Sequence, residues 1–380
     1  MKKLVRFFKG LLALILAIVG LLYITDYDYI IKGVRVVYMT GHTTAYIDDY
    51  VHFENDTIFA GGPSWDWPKH QQYNQVKPTD ELNRVNELLE TVAFVIIRND
   101  SIWYESYADD YGRDSRSNSF SMAKSITSAM LGKAIEDGYI KSLDQKVGDF
   151  FPQYADDATT VGDLSSMASG LDWDESYKSP FSVTARAYYD DDLAETILNQ
   201  QVVDTPGEDF TYLSGSTQLL GMVIEKATGK KMAAYLSESF WQPLGMQNDA
   251  LWQVDDKKNR LAKTYCCIAS NALDFARFGR LFKNKGNWNG RQILDTAFVE
   301  TATVSRFEGE PYGYGFWISN HLDKHIFVMR GILGQYVITV PEDDLIIVRL
   351  GRQLGSREPG ADFSSDFYKY VEEAYAMIGD

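Results

Sequence analysis

Between Gly10 and Thr25 the chain carries no charged residue, and the centre of this block reads LLALILAIVGLLYI. Lys2, Lys3, Arg6 and Lys9 stand in front of it. A basic start followed by an apolar run has the form of an export signal whose basic end stays in the cytoplasm. As a helix rising ~1.5 Å per residue the block reaches roughly 24 Å, a little short of a ~30 Å hydrocarbon core. Phe7, Phe8 and Tyr23 can extend it at the interfaces. No small-residue cleavage site follows, the next residues being Asp26-Tyr27-Asp28-Tyr29. The pattern predicts an uncleaved signal anchor over residues 1–25, a cleaved signal peptide and a buried helix being the alternatives. Under either export reading the cytoplasmic membrane is a partner and the rest of the chain lies in the cell envelope, on the periplasmic or extracellular side.

Beyond the anchor the pattern changes three times. Residues 26–75, rich in aromatics, Gly and Asp without a long period, read as an irregular extension. Thr79-Asp80 then cap a helix with Leu82, Val85 and Leu89 on one face. Residues 92–97 and 102–107 are β-rich runs flanking the turn residues Arg98-Asn99-Asp100-Ser101, a hairpin signal. From about 121 to 300 helices are predicted over 121–137, 192–200, 215–228, 231–240 and 272–284. Strands return at 314–319, 325–329, 335–340 and 345–350, and a last helix over 364–378 carries Phe367, Val371, Ala374 and Ile378. Strands at both ends and helices between them predict an α+β fold: one antiparallel sheet flanked by helices, with a mostly helical insert. The expected body is a single domain over 76–380, with a sheet lobe from 76–120 and 301–380 and a helical lobe over about 121–300.

Composition narrows the function. The 380 residues carry 37 Lys+Arg against 53 Asp+Glu, a formal charge of −16, with no basic stripe to reverse it locally. Such a surface repels a phosphate backbone, so nucleic acid is not an expected partner. Five scattered histidines and one adjacent pair of cysteines, Cys266-Cys267, lack metal-ligand spacing, and neither a metal nor an organic cofactor is expected. The two cysteines read as small residues packed near a turn, a vicinal disulfide being the alternative.

The candidate chemistry begins at Phe120-Ser121-Met122-Ala123-Lys124-Ser125. Positions three apart share a helix face, so the Ser121 hydroxyl and Lys124 amine are neighbours, at a helix start where free N–H groups favour negative charge. Serine needs a base, and lysine becomes one only when burial lowers its pKa from ~10.4 toward ~7–8. Further along, Pro206-Gly207 turn the chain and Tyr212 and Ser214 stand just before a helix. A phenol beside a lysine ammonium can be held partly ionised and relay a proton, and Ser214 can hydrogen-bond that lysine. In Phe327–Tyr336 a strand ends in Gly331 and Gly334, which permits close approach of a ligand, and the N–H of Ile332 could join that of Ser121 in holding an oxyanion. Each piece also has a purely structural reading: Ser121 as a helix cap, Tyr212 as a core aromatic, the glycines as bulges of an edge strand.

In order and spacing, Ser121-x-x-Lys124, Tyr212-x-Ser214 and the Gly331-x-x-Gly334 strand resemble the three motifs of the serine β-lactamase/penicillin-binding superfamily. Leu164–Trp173, Leu220-Gly221, Pro243–Met246 and Tyr312–Gly315 agree, and the resemblance spans roughly residues 75–380. Within it the sequence is most similar to the class C-like branch of esterases, D-amino-acid peptidases and 6-aminohexanoate-dimer hydrolases. The resemblance implies Ser121 as acylated nucleophile, Lys124 as its activator and Tyr212 as proton relay, in a serine hydrolase acting on a small-molecule amide or ester. Tyr-x-Ser stands where Tyr-x-Asn is usual, and Met329-Arg330-Gly331 where Lys-Thr-Gly is usual, which removes the lysine that helps bind a β-lactam or peptide carboxylate. A D-alanyl-D-alanine carboxypeptidase or β-lactamase is the rival enzyme, and a non-catalytic cell-envelope binding protein the rival of another class. Trp173 and Tyr177 are candidates for the wall of the acyl pocket, with core or lid packing the alternative. Asp190-Asp191-Asp192, beside Tyr188-Tyr189, form either an acidic rim for a substrate ammonium or a solvated run.

Overall fold

The computed structural model describes residues 1–108 and 110–379. Ten strands carry the architecture around the site: β1 (Asn55–Ile58), β2 (Thr91–Arg98), β3 (Ser101–Tyr107), β4 (Ser117–Asn118), β5 (Ala250–Gln253), β6 (Ile268–Ser270), β7 (Trp317–Ser319), β8 (Ile326–Gly331), β9 (Gln335–Val340) and β10 (Leu345–Gly351). Eight helices matter most: α1 (Lys2–Ile24), α2 (Tyr29–Val36), α3 (Asp80–Leu88), α4 (Met122–Glu136), α5 (Val183–Tyr189), α6 (Ser214–Thr228), α7 (Ala272–Lys283) and α8 (Ser365–Ile378).

The larger sheet has the order β3-β2-β10-β9-β8-β7, and the pairings between its neighbouring strands are antiparallel. Strand β2 reads TVAFVIIR with its six central residues buried, because both faces of the sheet are covered. Side chains alternate across a strand. Accordingly Phe94 and Ile96 join Phe367 and Tyr370 of α8, while Val95 and Ile97 join the core that holds α4 and α7. The sheet is thus assembled from both ends of the chain and covered by helices, as the strand–helix–strand order predicts.

Three expectations need correction. Residues 26–75 are not an irregular leader: α2 lies against α5, and β1 pairs with β5 to open a second sheet of order β1-β5-β6-β4. Four residues pairing with a strand almost two hundred positions away leave no local signature, and only Ile58 of β1 is fully buried. The helix expected over 231–240 is regular over Met232–Leu236 and then widens into a π-turn over Ser237–Trp241. The strand expected over 314–319 forms only over Trp317–Ser319. The preceding segment is drawn onto α4 instead, where Ser128 Oγ donates to the Tyr314 carbonyl at 2.6 Å.

Candidate active site

Helix α4 is buried nearly all round, as expected of a helix apolar on every side, so its one early lysine is buried with it. The approach to it is tightly fixed. Strand β4 pairs with β6, Ser119 N–H donates to the Ile268 carbonyl at 2.7 Å, and Asn118 Oδ1 accepts from Phe120 N–H at 2.9 Å. Phe120 takes φ +45°, a region that costs a non-glycine residue of order 1–3 kcal/mol and that clusters at functional sites. That sharp turn sets Ser121 at the N-cap of α4, partly exposed.

Lys124, 2% exposed, points its ammonium at three oxygens, each 3.0 Å away: Ser121 Oγ, Ser214 Oγ and the Tyr265 carbonyl. Three acceptors match the three donors of an ammonium. Burial lowers its pKa to about 8, against the opposing pull of the Glu175 carboxylate. A substantial fraction is therefore neutral near pH 8, the state in which lysine can accept the Ser121 proton.

Tyr212 enters just before α6, with its hydroxyl hydrogen-bonded to Ser121 and its ring centroid 5.0 Å from Lys124 Nζ. Trp317 and Tyr312 brace the ring at 5.3 and 6.0 Å between centroids. The expectation of a partly ionised phenol does not hold. Burial and the nearby Glu175 charge push its pKa up, so Tyr212 rests as a neutral phenol that can pass a proton but does not store the negative charge.

Glu175 was not singled out in the sequence, where it sits in the polar loop Asp172–Tyr177 and reads as a solvated acid. One of its oxygens accepts from the Ser214 N–H at 2.6 Å and the other from Ser214 Oγ at 2.6 Å, and the Tyr177 hydroxyl also donates to it. Ser214 thereby links a carboxylate to the lysine. No local spacing could reveal this, because Glu175 and Ser214 are 39 positions apart.

On the opposite side β8 runs past the Ser119–Ser121 segment. A Cβ at Gly331 would lie 2.4 Å from the Ser119 carbonyl oxygen, so glycine is required for this approach. The turn Ile332–Gly334 is held from beneath by Arg349, fully buried on β10, which donates to the Leu333 and Gly334 carbonyls at 2.7 and 2.9 Å. Gly334 has φ +77°, and a Cβ there would meet Arg349 at 2.3 Å. Among the described residues neither the Ser121 nor the Ile332 N–H has a backbone acceptor in another element, which leaves both available to an oxyanion.

A small cavity of about 80 Å³ opens at Ser121 and is lined by Phe120, Tyr177, Ser214, Tyr265, Cys266 and Ile332 among others. Of the residues expected from sequence, Ser121, Lys124, Tyr212, Ser214, Gly331, Ile332 and Tyr177 converge on this region. Trp173 does not: it is buried against α6, where a Cβ at Gly215 would lie 2.5 Å from its ring, and it is a packing residue rather than a pocket wall. The acids 190–192 form no rim. Asp190 pairs with Arg186, Asp191 with Lys32, and Asp192 caps the short helix Leu193–Leu198. Arg330 turns away, with its guanidinium over Trp317 and Phe363 and donating to the Asp362 carbonyl at 2.9 Å. Cys266 and Cys267 form a vicinal disulfide rather than two free packed thiols, and Cys266 borders the cavity next to the Tyr265 carbonyl that holds Lys124.

A buried lysine on a helix-start serine, beside a two-sheet core, defines a serine hydrolase of the β-lactamase fold, and the Beta-lactamase family model matches residues 83–366. The chain belongs to that family and is a serine hydrolase of amide or ester bonds. Among proteins of known name it is similar to the 6-aminohexanoate-dimer hydrolase of Paenarthrobacter ureafaciens, 26% identical over 286 residues that cover 68% of this chain and 72% of the relative. Among solved structures it shares its fold with a Bacillus anthracis protein assigned as a candidate 6-aminohexanoate-dimer hydrolase, at TM-score 0.70 and 20% identity over 88% of this chain and 92% of that one. The D-amino acid amidase from Ochrobactrum anthropi SV3 follows the same fold at TM-score 0.57 and 17% identity, over 79% and 99% of the two chains.

Proposed function

We propose that the protein cleaves its amide or ester through an acyl-Ser121 intermediate, and one observation carries this reading: a buried Lys124 ammonium 3.0 Å from Ser121 Oγ. Neutral Lys124 accepts the hydroxyl proton as Oγ attacks the substrate carbonyl. The oxygen that gains charge is met by the N–H groups of Ser121 and Ile332, each such donor being worth about 3–4 kcal/mol of barrier. Tyr212 then gives its phenolic proton to the leaving amine or alcohol and is reprotonated from Lys124. Water attacks the acyl-enzyme by the same route in reverse, and the acid departs. Ser214 and Glu175 position Lys124 and tune its charge.

The Arg330 side chain donates to the Asp362 carbonyl, and among the described residues lining the cavity there is no lysine or arginine to meet a β-lactam or peptide carboxylate. This favours an esterase or amidase over a carboxypeptidase or β-lactamase. Short-chain p-nitrophenyl esters are expected to turn over faster than a chromogenic cephalosporin, with both rates lost in Ser121→Ala. Faster turnover of the cephalosporin would reverse that preference, and binding without turnover would favour the non-catalytic reading.

Helix α1, with hydropathy 2.4 over its most apolar window and no buried residue, supports a signal anchor. Its basic start supports an orientation with the body outside the cytoplasmic membrane. In protease-treated spheroplasts the C-terminal half should be digested, and its protection would contradict this orientation.

A further inference from the structure

One wall of the space beyond Ser121 comes from a segment that lies outside the matched family region. Helix α2 sits on α5 and on the loop 177–180: Tyr29 Oη donates to the Pro180 carbonyl at 2.9 Å, and Lys32 pairs with Asp191 at 2.5 Å. Between them lies a second space of about 420 Å³, lined by Ile30, Val34, Val37, Tyr38, Tyr177 and Tyr189 among others. Thr44, Tyr177, Ala185 and Tyr189 line both this space and the cavity at Ser121, so the two adjoin along these four residues. The inner cavity is too small for more than the reacting group, which sends the remainder of any larger substrate outward. Tyr212, the proton donor to the leaving group, lines neither, so whatever fills the groove belongs to the acyl side.

The groove is also tied to the anchor. Arg186 of α5, next to Ala185, holds Asp26 at 2.6 Å, two residues beyond the end of α1. Four residues separate α1 from α2, a reach of at most about 17 Å. With α1 in the bilayer, as proposed above, the groove's outer edge is held close to the membrane surface however the anchor tilts. Val34, Tyr38, Met39 and Phe181 stand exposed around that edge, Met39 at 77%. Among the described residues neither lining contains an acid, and the charged residue lining the groove is Lys178.

We infer that this groove binds the alkyl chain of an amphiphilic ester or amide drawn from the membrane interface, with the scissile carbonyl at Ser121. The inference rests on the acyl-Ser121 reading and adds the substrate class to it. A chain ending in an ammonium would lose hydration there without meeting a carboxylate, so an ω-amino acyl group is disfavoured.

The test uses the full chain in phospholipid nanodiscs with p-nitrophenyl acetate, octanoate and 8-aminooctanoate, with Ser121→Ala as background. Each methylene taken from water is worth about fourfold in binding. The kcat/KM ratio of octanoate to acetate is expected to reach at least ~30, and the 8-amino ester to fall at least ~10-fold below octanoate. Ala185→Trp, which puts a bulky ring where the two spaces adjoin, should bring the octanoate-to-acetate ratio below ~3. If that variant does not fold, Val34→Glu decides instead, since it places a charge in the outer groove from a half-exposed site and should lower the same ratio at least ~10-fold. A wild-type ratio near one, equal turnover of the amino ester, or ratios unmoved in the folded variants would overturn the groove while leaving the hydrolase intact. Absence of Ser121-dependent turnover of acetate would instead strike the acyl-Ser121 reading.

Discussion

Glu175→Gln tests the electrostatics of the site with little change of shape. Gln keeps the size of Glu and an oxygen for the Ser214 N–H, but removes the charge. The carboxylate reaches Lys124 through a single shared hydroxyl, with 2.6 Å from Glu175 to Ser214 Oγ and 3.0 Å from there to Lys124 Nζ. At a charge separation of roughly 5 Å the attraction is about 0.8 kcal/mol in water-like dielectric and about 3.3 at an effective dielectric near 20. Divided by 1.36 kcal/mol per pH unit, this moves the midpoint by between about 0.6 and 2.4. In the proposed mechanism neutral lysine is the active form, so activity is expected to rise as pH passes upward through the Lys124 midpoint, near 8 in the native protein. Losing a negative neighbour destabilises the ammonium, lowers the midpoint and leaves the variant more active, relative to its own plateau, at pH 7. The assay is kcat/KM for a soluble short-chain ester between pH 5.5 and 9.5, which reports the free enzyme. An acid limb that stays in place, or moves upward, would refute the assignment of that limb to Lys124 under the influence of Glu175.

Three further outcomes follow from the same geometry. Tyr212→Phe should lower kcat about 10²–10⁴-fold, more for substrates with poor leaving groups than for p-nitrophenyl esters, as steady-state kinetics on an anilide and an ester would show. Gly331→Ala forces a methyl group to within 2.4 Å of the Ser119 carbonyl, so β8 must move from the nucleophile and kcat should fall at least ~10²-fold, with folding checked by circular dichroism. Arg349→Ala strands the carbonyls at Leu333 and Gly334, leaves the Leu89 carbonyl with the Gln353 N–H alone, and should cost about 3–5 kcal/mol in urea unfolding, with the Ile332 turn loosened.

The parts of the site that were legible in the sequence are those whose geometry is local. Ser121 and Lys124 are one helical turn apart, so helix periodicity alone makes them neighbours, and the β-rich runs on either side of Arg98–Ser101 announce a hairpin by composition. The Pro206-Gly207 turn ahead of a helix start marked Tyr212 and Ser214. Pairings made at long range were not legible. Asn55–Ile58 becomes a strand only because residues 250–253 lie beside it, and the segment around it then supplies Thr44 and Ala45 to the cavity at Ser121. Trp173 failed as a pocket wall because sequence shows an aromatic near a motif but not which way its ring turns. Glu175 was missed because its partners, Ser214 and Tyr177, give it meaning only in three dimensions. The strain at Phe120 has no counterpart in composition, since phenylalanine is a poor choice for positive φ and is held there by the hydrogen bonds of Asn118 and Ser119.

Reaction of the full chain with a fluorophosphonate, followed by intact-mass and peptide mass spectrometry, addresses the nucleophile most directly. A single phosphonyl adduct on the peptide containing Ser121 is predicted, forming faster as pH rises through about 8 and absent in Ser121→Ala. An adduct that survives in Ser121→Ala, or none at all in the folded native protein, would contradict the account.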